Sequence, residues 1–289
     1  MISNTLTERL GIKYPIIQAP MASAATPAMV IAASESGALG SLGAAYMAPN
    51  EIRAAIREIR EATNRPFQVN LFSPQKQNIL AESEIDQANK PLRSIRAELG
   101  IADPNSPPDF KDRFASQLQV LLEEKISIVG FHFGLPCSEQ LKEVKTSGAV
   151  LIGCATRVSD AVVLEESGVD IVVAQGVEAG GHQGTFRSEE APSMIGLMAL
   201  IPQIVDAVSV PVVAAGGLMD GRGLAAALAL GASAGQLGTA FLASPESKAH
   251  ETHKKLLVDG AVDDTRITRA FSGRPARGLV NRMMEEVDA

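Results

Sequence analysis

The chain has 289 residues, 46% hydrophobic and 20% charged, a composition that excludes a disordered chain and suits one α/β barrel or two smaller domains. Its net charge of −7 argues against a nucleic-acid surface, which draws on clustered Lys and Arg. The two cysteines, Cys137 and Cys154, imply neither a disulfide framework nor a cysteine-built zinc site.

The opening stretch, MISNTLTERLG, lacks the basic-then-apolar pattern of a signal peptide. The longest apolar stretch, GLAAALALGASAG, is too short and too small-sided to span a bilayer. A soluble cytoplasmic protein without membrane or nucleic-acid partners is the expectation.

In chain order, short apolar runs occur at 15–21 (PIIQAPM), 38–44 (ALGSLGA), 66–72 (PFQVNLF) and 126–133 (ISIVGFHF). Four more follow at 149–156 (AVLIGCAT), 169–176 (VDIVVAQG), 211–217 (PVVAAGG) and 234–241 (AGQLGTAF). Most are continuous rather than alternating, as expected for parallel strands buried on both faces. Helical periodicity fills the gaps. Residues 49–63 place Ile52, Ile56 and Ile59 on one face with charges on the other. Residues 158–168 open with Ser159 and Asp160 as capping candidates and close with Gly168; residues 219–232 do the same with Asp220 and Gly231.

Strand and helix alternate, and eight such units in one chain predict a closed (β/α)8 TIM barrel spanning 1–289 as a single domain. An open doubly wound sheet is the rival. Its G-x-G-x-x-G fingerprint after the first strand is absent, and the glycines of GALGSLG (37–43) read as close packing on the second. Two long gaps, 73–125 and 177–210, are insertions after strands 3 and 6, on the strand-to-helix side where barrels carry their active sites.

The ends of the last two runs offer Gly216, Gly217, Gly238 and Thr239. Bare backbone N–H groups there suit a phosphate, against the plainer reading of ordinary turn glycines. Met21, Asn70 and Gln175 fall near the ends of runs 1, 3 and 6, with Gln18 and Gln236 as further candidates. Two carboxamides and a thioether suit a flat heteroaromatic ring. Met21 equally fits core filling, Asn70 a loop-start cap and Gln18 the barrel interior. A phosphorylated flat ring such as flavin mononucleotide satisfies both halves.

After the sixth run comes EAGGHQG (178–184), a histidine set among glycines. It reads as backbone that approaches something flat, with His182 aimed at it. His132 either faces the same site or is a core histidine. His250 and His253 fit a solvated helix face far better than a metal site, and Cys154 fits a small buried core residue.

YPIIQAPMA, SGALGSLGAAY, PFQVNLF, AQGVEAGGHQGTF, PVVAAGG, GQLGTAF and FSGRPARGLVNR, in this order, resemble the nitronate monooxygenases. The resemblance runs from about residue 8 to 282. It implies an FMN-binding (β/α)8 barrel that oxidises alkyl nitronates, such as propionate 3-nitronate, with O2. It places flavin contacts on Met21, Asn70, Gln175, Gly180, Gly217 and the stretch Gln236, Leu237, Gly238 and Thr239, and the catalytic histidine on His182. A homo-oligomer is compatible with it. Longer family members continue well past SGRPARGLVNR, whereas this sequence ends at Ala289. On this reading FSGRPARGLVNRMMEE is a terminal helix, with Arg274, Arg277 and Arg282 exposed or paired and without catalytic role. The competing functions are a flavin-dependent enoyl-acyl-carrier-protein reductase and a flavin-binding barrel without turnover.

Overall fold

The computed structural model describes residues 4–75, 81–102, 104, 112–186, 191–260 and 264–287. Eight parallel strands form one sheet: β1 (Ile16–Gln18), β2 (Gly40–Gly43), β3 (Phe67–Phe72), β4 (Ile128–His132), β5 (Val150–Ala155), β6 (Ile171–Gln175), β8 (Val212–Ala215) and β9 (Ala234–Leu237). Their order is β1-β9-β8-β6-β5-β4-β3-β2, and a parallel bridge from Ile17 to Leu39 joins the two ends. The sheet is thus a nearly closed (β/α)8 barrel, as the alternating runs predict.

Period-two side-chain alternation sorts the core into two layers. Ile128, Ile152, Ile171, Val173, Val213 and Ala234 point inward, together with Leu6 and Leu10 of the N-terminal helix Thr5–Leu10. Asn4 caps that helix and donates from Nδ2 to the Ser233 carbonyl at 2.6 Å, which ties it to the start of β9. Val69, Leu71, Val129 and Leu151 point outward and pack on Ile52, Ile56 and Ile59. Those isoleucines are the apolar face of the helix Pro49–Ala62, within one residue of the predicted span.

The β1–β2 seam has few backbone bonds, and Gln18 supplements them. Its Oε1 accepts from Ser41 N at 2.7 Å and its Nε2 donates to Ser41 O at 3.1 Å. Gln18 thus fills the barrel interior, one of its two expected places. Replacing it with Leu strands a buried N–H and a buried carbonyl, each worth about 1–3 kcal/mol. We expect Gln18→Leu to cost about 2–4 kcal/mol in denaturant unfolding; a midpoint equal to wild type contradicts the bridging role.

The glycines of GALGSLG are indeed packing residues. A Cβ at Gly43 would lie 2.6 Å from Ala22 N and 2.7 Å from the Met21 carbonyl carbon, so only glycine lets the segment after β1 cross the end of β2. Asp220 caps the helix Gly221–Ala229 as expected. The helix Val158–Glu166 departs from expectation: its N-cap is Arg157, and Asp160 instead accepts from Thr156 N and Oγ1.

Two further differences matter at the mouth. The eighth run stops as a strand at Leu237, and Thr239–Leu242 turns into a helix. FSGRPARGLVNRMMEE is not one helix. Ala276–Leu279 is a strand, β11, paired antiparallel with β10 (Thr265–Thr268) and with β7 (Gly181–His182), and only Arg282–Val287 is helical. Pro275 and Gly273 interrupt any helix there, and the open edge of β7 offers hydrogen bonds that a helix would forgo. Among the described residues no helix is long and apolar enough to cross a membrane.

Candidate active site

The C-terminal ends of the strands converge on one mouth. Period two puts Gln175 and Gln236 on the inward parity of Val173 and Ala234. Asn70 also faces inward: a Cβ at Gly130 would meet Asn70 Oδ1 at 2.6 Å. After β8 the chain passes through Gly216 (φ +118°) and Gly217 (φ +67°), left-handed conformations that favour glycine. A Cβ at Gly238 would face Ala19 Cβ at 3.6 Å and Met21 Sδ at 3.9 Å, and one at Gly180 would face Thr239 Oγ1 at 3.3 Å. The segments after β1, β6 and β9 are therefore in contact, and their glycines line the contact.

The EAGGHQG loop is held from several sides. Gln175 donates from Nε2 to the His182 carbonyl at 3.0 Å and accepts from Gly184 N at 2.7 Å. His182 pairs with Ala276 in β11. Glu178 has a separate task that its place in the motif does not reveal: its carboxylate accepts from Leu197 N at 2.9 Å, capping the helix Leu197–Ala207.

The His182 ring sits in an aromatic wall. Ring centroids lie 5.8 Å from Phe133 and 6.3 Å from Phe72, and Tyr46 packs edge-on against Phe72 at 5.4 Å. His182 Nε2 shares a hydrogen bond of 2.6 Å with Ser272 Oγ, its direction following the tautomer. Burial pushes the His182 pKa below the ordinary imidazole value, and the positive charge of Arg274 adds to that. Arg274 stacks on Phe133 and so belongs to this wall, contrary to the expectation of a terminal-helix residue.

His132 also belongs here, the first of its two expected places. Its ring is 4.6 Å from Phe133 and 5.9 Å from Phe72, beneath the glycine loop, where a Cβ at Gly184 would meet it at 2.9 Å. Burial lowers its pKa to about 4, against a hydrogen bond to the His182 backbone that favours the charged form. The unfolded chain therefore binds this proton more readily than the folded one. The stability present above the ordinary value of about 6.5 is lost as pH falls from there to about 4, by about 3 kcal/mol at most. We expect His132→Gln to flatten that slope in denaturant titrations at graded pH; an unchanged slope contradicts the assignment.

Cys154 is buried, as predicted, and burial pushes its thiol up to about 12. His250 caps the helix Glu251–Asp259 by accepting from Thr252 N at 3.2 Å. Among the described residues no three His, Cys, Asp or Glu side chains gather into a metal site.

Reasoning from the sequence did not find Ser272, Tyr46, Phe72, Phe133 or the site role of Arg274. The aromatic spacing in GFHFG was the available signal. Phe133 has φ +66°, a strained conformation for a bulky residue that cannot be read from composition.

Fold and mouth together define a (β/α)8 barrel with a candidate site at the C-terminal ends of its strands. A family model described as nitronate monooxygenase matches residues 3–289. A probable nitronate monooxygenase of Bacillus subtilis is 44% identical over 284 residues, covering 98% of this chain and 81% of that one. The solved nitroalkane oxidase of Streptomyces ansochromogenes superposes with a TM-score of 0.89 at 42% identity, again over 98% and 81%. FabK from Thermotoga maritima superposes with a TM-score of 0.77 at 33% identity, over 99% of this chain and 77% of that one. The chain belongs to the nitronate monooxygenase family.

Proposed function

We propose that the mouth binds FMN and oxidises alkyl nitronates, such as propionate 3-nitronate, with O2. The observation that carries this reading is the convergence itself: Gly180 against Thr239, Gly238 against Met21, and His182 in the wall beside them.

The residues fit the cofactor. Gly217 and Gly238 leave backbone bare for a phosphate, and Thr239 adds a hydroxyl. Met21, Asn70, Gln236 and Leu237 suit the ring and its hydrogen-bonding edge. Gln175 spends one N–H and its carbonyl on the His182 loop and keeps a second N–H for the ring. When bound, FMN supplies the redox chemistry between nitronate and O2.

The chain's own part is orientation and proton handling. His182 is biased toward the neutral form by burial and by Arg274. With Nε2–H donated to Ser272, the free lone pair lies on Nδ1, the atom that accepts the α-carbon proton of a neutral nitroalkane. A nitronate arrives already ionised and needs no such transfer.

The experiment is an absorption spectrum of the purified protein followed by oxygen uptake. We expect flavin bands, FMN released on denaturation, and faster uptake with a nitronate than with its neutral nitroalkane, measured before the two interconvert. Equal rates reject the substrate assignment. Anaerobic bleaching by NADH without nitronate turnover points instead to a reductase.

A further inference from the structure

The mouth holds a cation that the flavin reading leaves unused. Arg274 lies in the segment between β10 and β11, brought to the site by the β7–β11 pairing. Its guanidinium carbon is 4.2 Å from the Phe133 ring centroid, and Nη2 donates to Gln75 Oε1 at 2.7 Å. Gln75 is itself fixed: Nε2 donates to the Ser73 carbonyl at 3.0 Å and the Phe133 carbonyl at 2.9 Å. Phe133 in turn touches both His132 and His182. A planar cation is thus oriented by an amide and a ring, against the wall that carries the histidine.

The charge is felt across the site. It lowers the pKa of His182 and His132, in each case after burial, and it opposes the burial that raises the Tyr46 phenol. His182 is therefore poorly suited to supply positive charge to an anion. Of the groups just described, Arg274 carries it. A guanidinium presents N–H donors in a rigid fork that matches two oxygens on one planar centre.

We infer that Arg274 is a substrate-binding residue: its fork takes the two oxygens of a small planar monoanion and leaves the carbon end to His182. For a nitronate those are the nitro oxygens. The inference rests on the nitronate reading and extends it by separating anion recognition from proton transfer.

The test uses the flavin-loaded enzyme, its Arg274→Met and Arg274→Lys variants, and nitrate as a planar, unreactive anion. Losing a hydrogen bond to a charged group corresponds to about 10- to 100-fold in affinity. In Arg274→Met we expect the nitronate KM and the calorimetric nitrate Kd to rise by about that factor, with kcat changing less. The KM for a neutral nitroalkane should shift by no more than about threefold, and flavin content should stay constant. Arg274→Lys keeps the charge without the fork and should fall between. If the methionine variant does not fold, Arg274→Gln and Arg274→Lys are compared by the same ratios. An unchanged nitrate Kd, equal KM increases for anionic and neutral substrates, or a wild type that binds no nitrate overturns the inference. If the wild type does not oxidise nitronates while nitrate affinity still depends on Arg274, the nitronate reading fails and the anion site stands.

Discussion

Replacing His182 with Asn is expected to slow oxidation of neutral nitroalkanes by about 10² to 10⁴, the usual cost of losing a general base. Asn keeps a hydrogen-bond donor but cannot take up a proton at neutral pH. A nitronate requires no proton abstraction, so its turnover should fall much less. Flavin content should stay near that of the wild type for a structural reason. The loop is tied through the backbone of residue 182, by Gln175 on its carbonyl and by its pairing with Ala276, and neither contact uses the ring. The ring's hydrogen-bond partner, Ser272, is an exposed residue. The measurements are kcat/KM for both forms of one substrate and the flavin-to-protein ratio. Matched losses on both forms, with flavin depleted, would make His182 a loop support and remove it from catalysis.

Introducing a carboxylate at Gly217 is expected to abolish flavin retention while the barrel stays folded. The proposed phosphate site puts an anion against bare N–H groups there, and an aspartate adds both bulk and like charge against that anion. Position 217 has φ +67°, and a Cβ there would come 3.3 Å from Glu178 Cβ. Backbone strain is thus a second effect of any substitution. Asn and Asp tolerate this conformation best among non-glycine residues and have nearly the same shape. Gly217→Asn therefore controls for strain, and the difference between the two variants isolates the charge. We expect Gly217→Asp to purify colourless and Gly217→Asn to retain part of its flavin, with similar unfolding midpoints. Full flavin content in the aspartate variant would place the phosphate elsewhere.

The eight barrel strands were legible because each is a continuous apolar run buried on both faces, and burial on both faces is what composition records. The helix Pro49–Ala62 was legible because Ile52, Ile56 and Ile59 repeat with its period. The position of His182 was legible too, since glycines on both sides of one ionisable ring have few structural uses. What the ring touches was not. Ser272 is 90 residues away in sequence. It reaches His182 through the pairing of β7 with β11, a two-residue strand against a four-residue one. Strands that short show no periodicity, and what joins them is backbone hydrogen bonding, which any residue but proline supplies. FSGRPARGLVNRMMEE therefore read as a helix. Gly273 and Pro275 interrupt that helix, and the open edge of β7 turns part of the segment into a strand. That edge also decides the place of Arg274, because the register of β11 on β7 fixes the segment that leads into β11. The sequence by itself determined the barrel, its mouth and the histidine in it. The tertiary structure decided which charge and which aromatic rings stand around that histidine, because those contacts come from long-range pairing and not from local pattern.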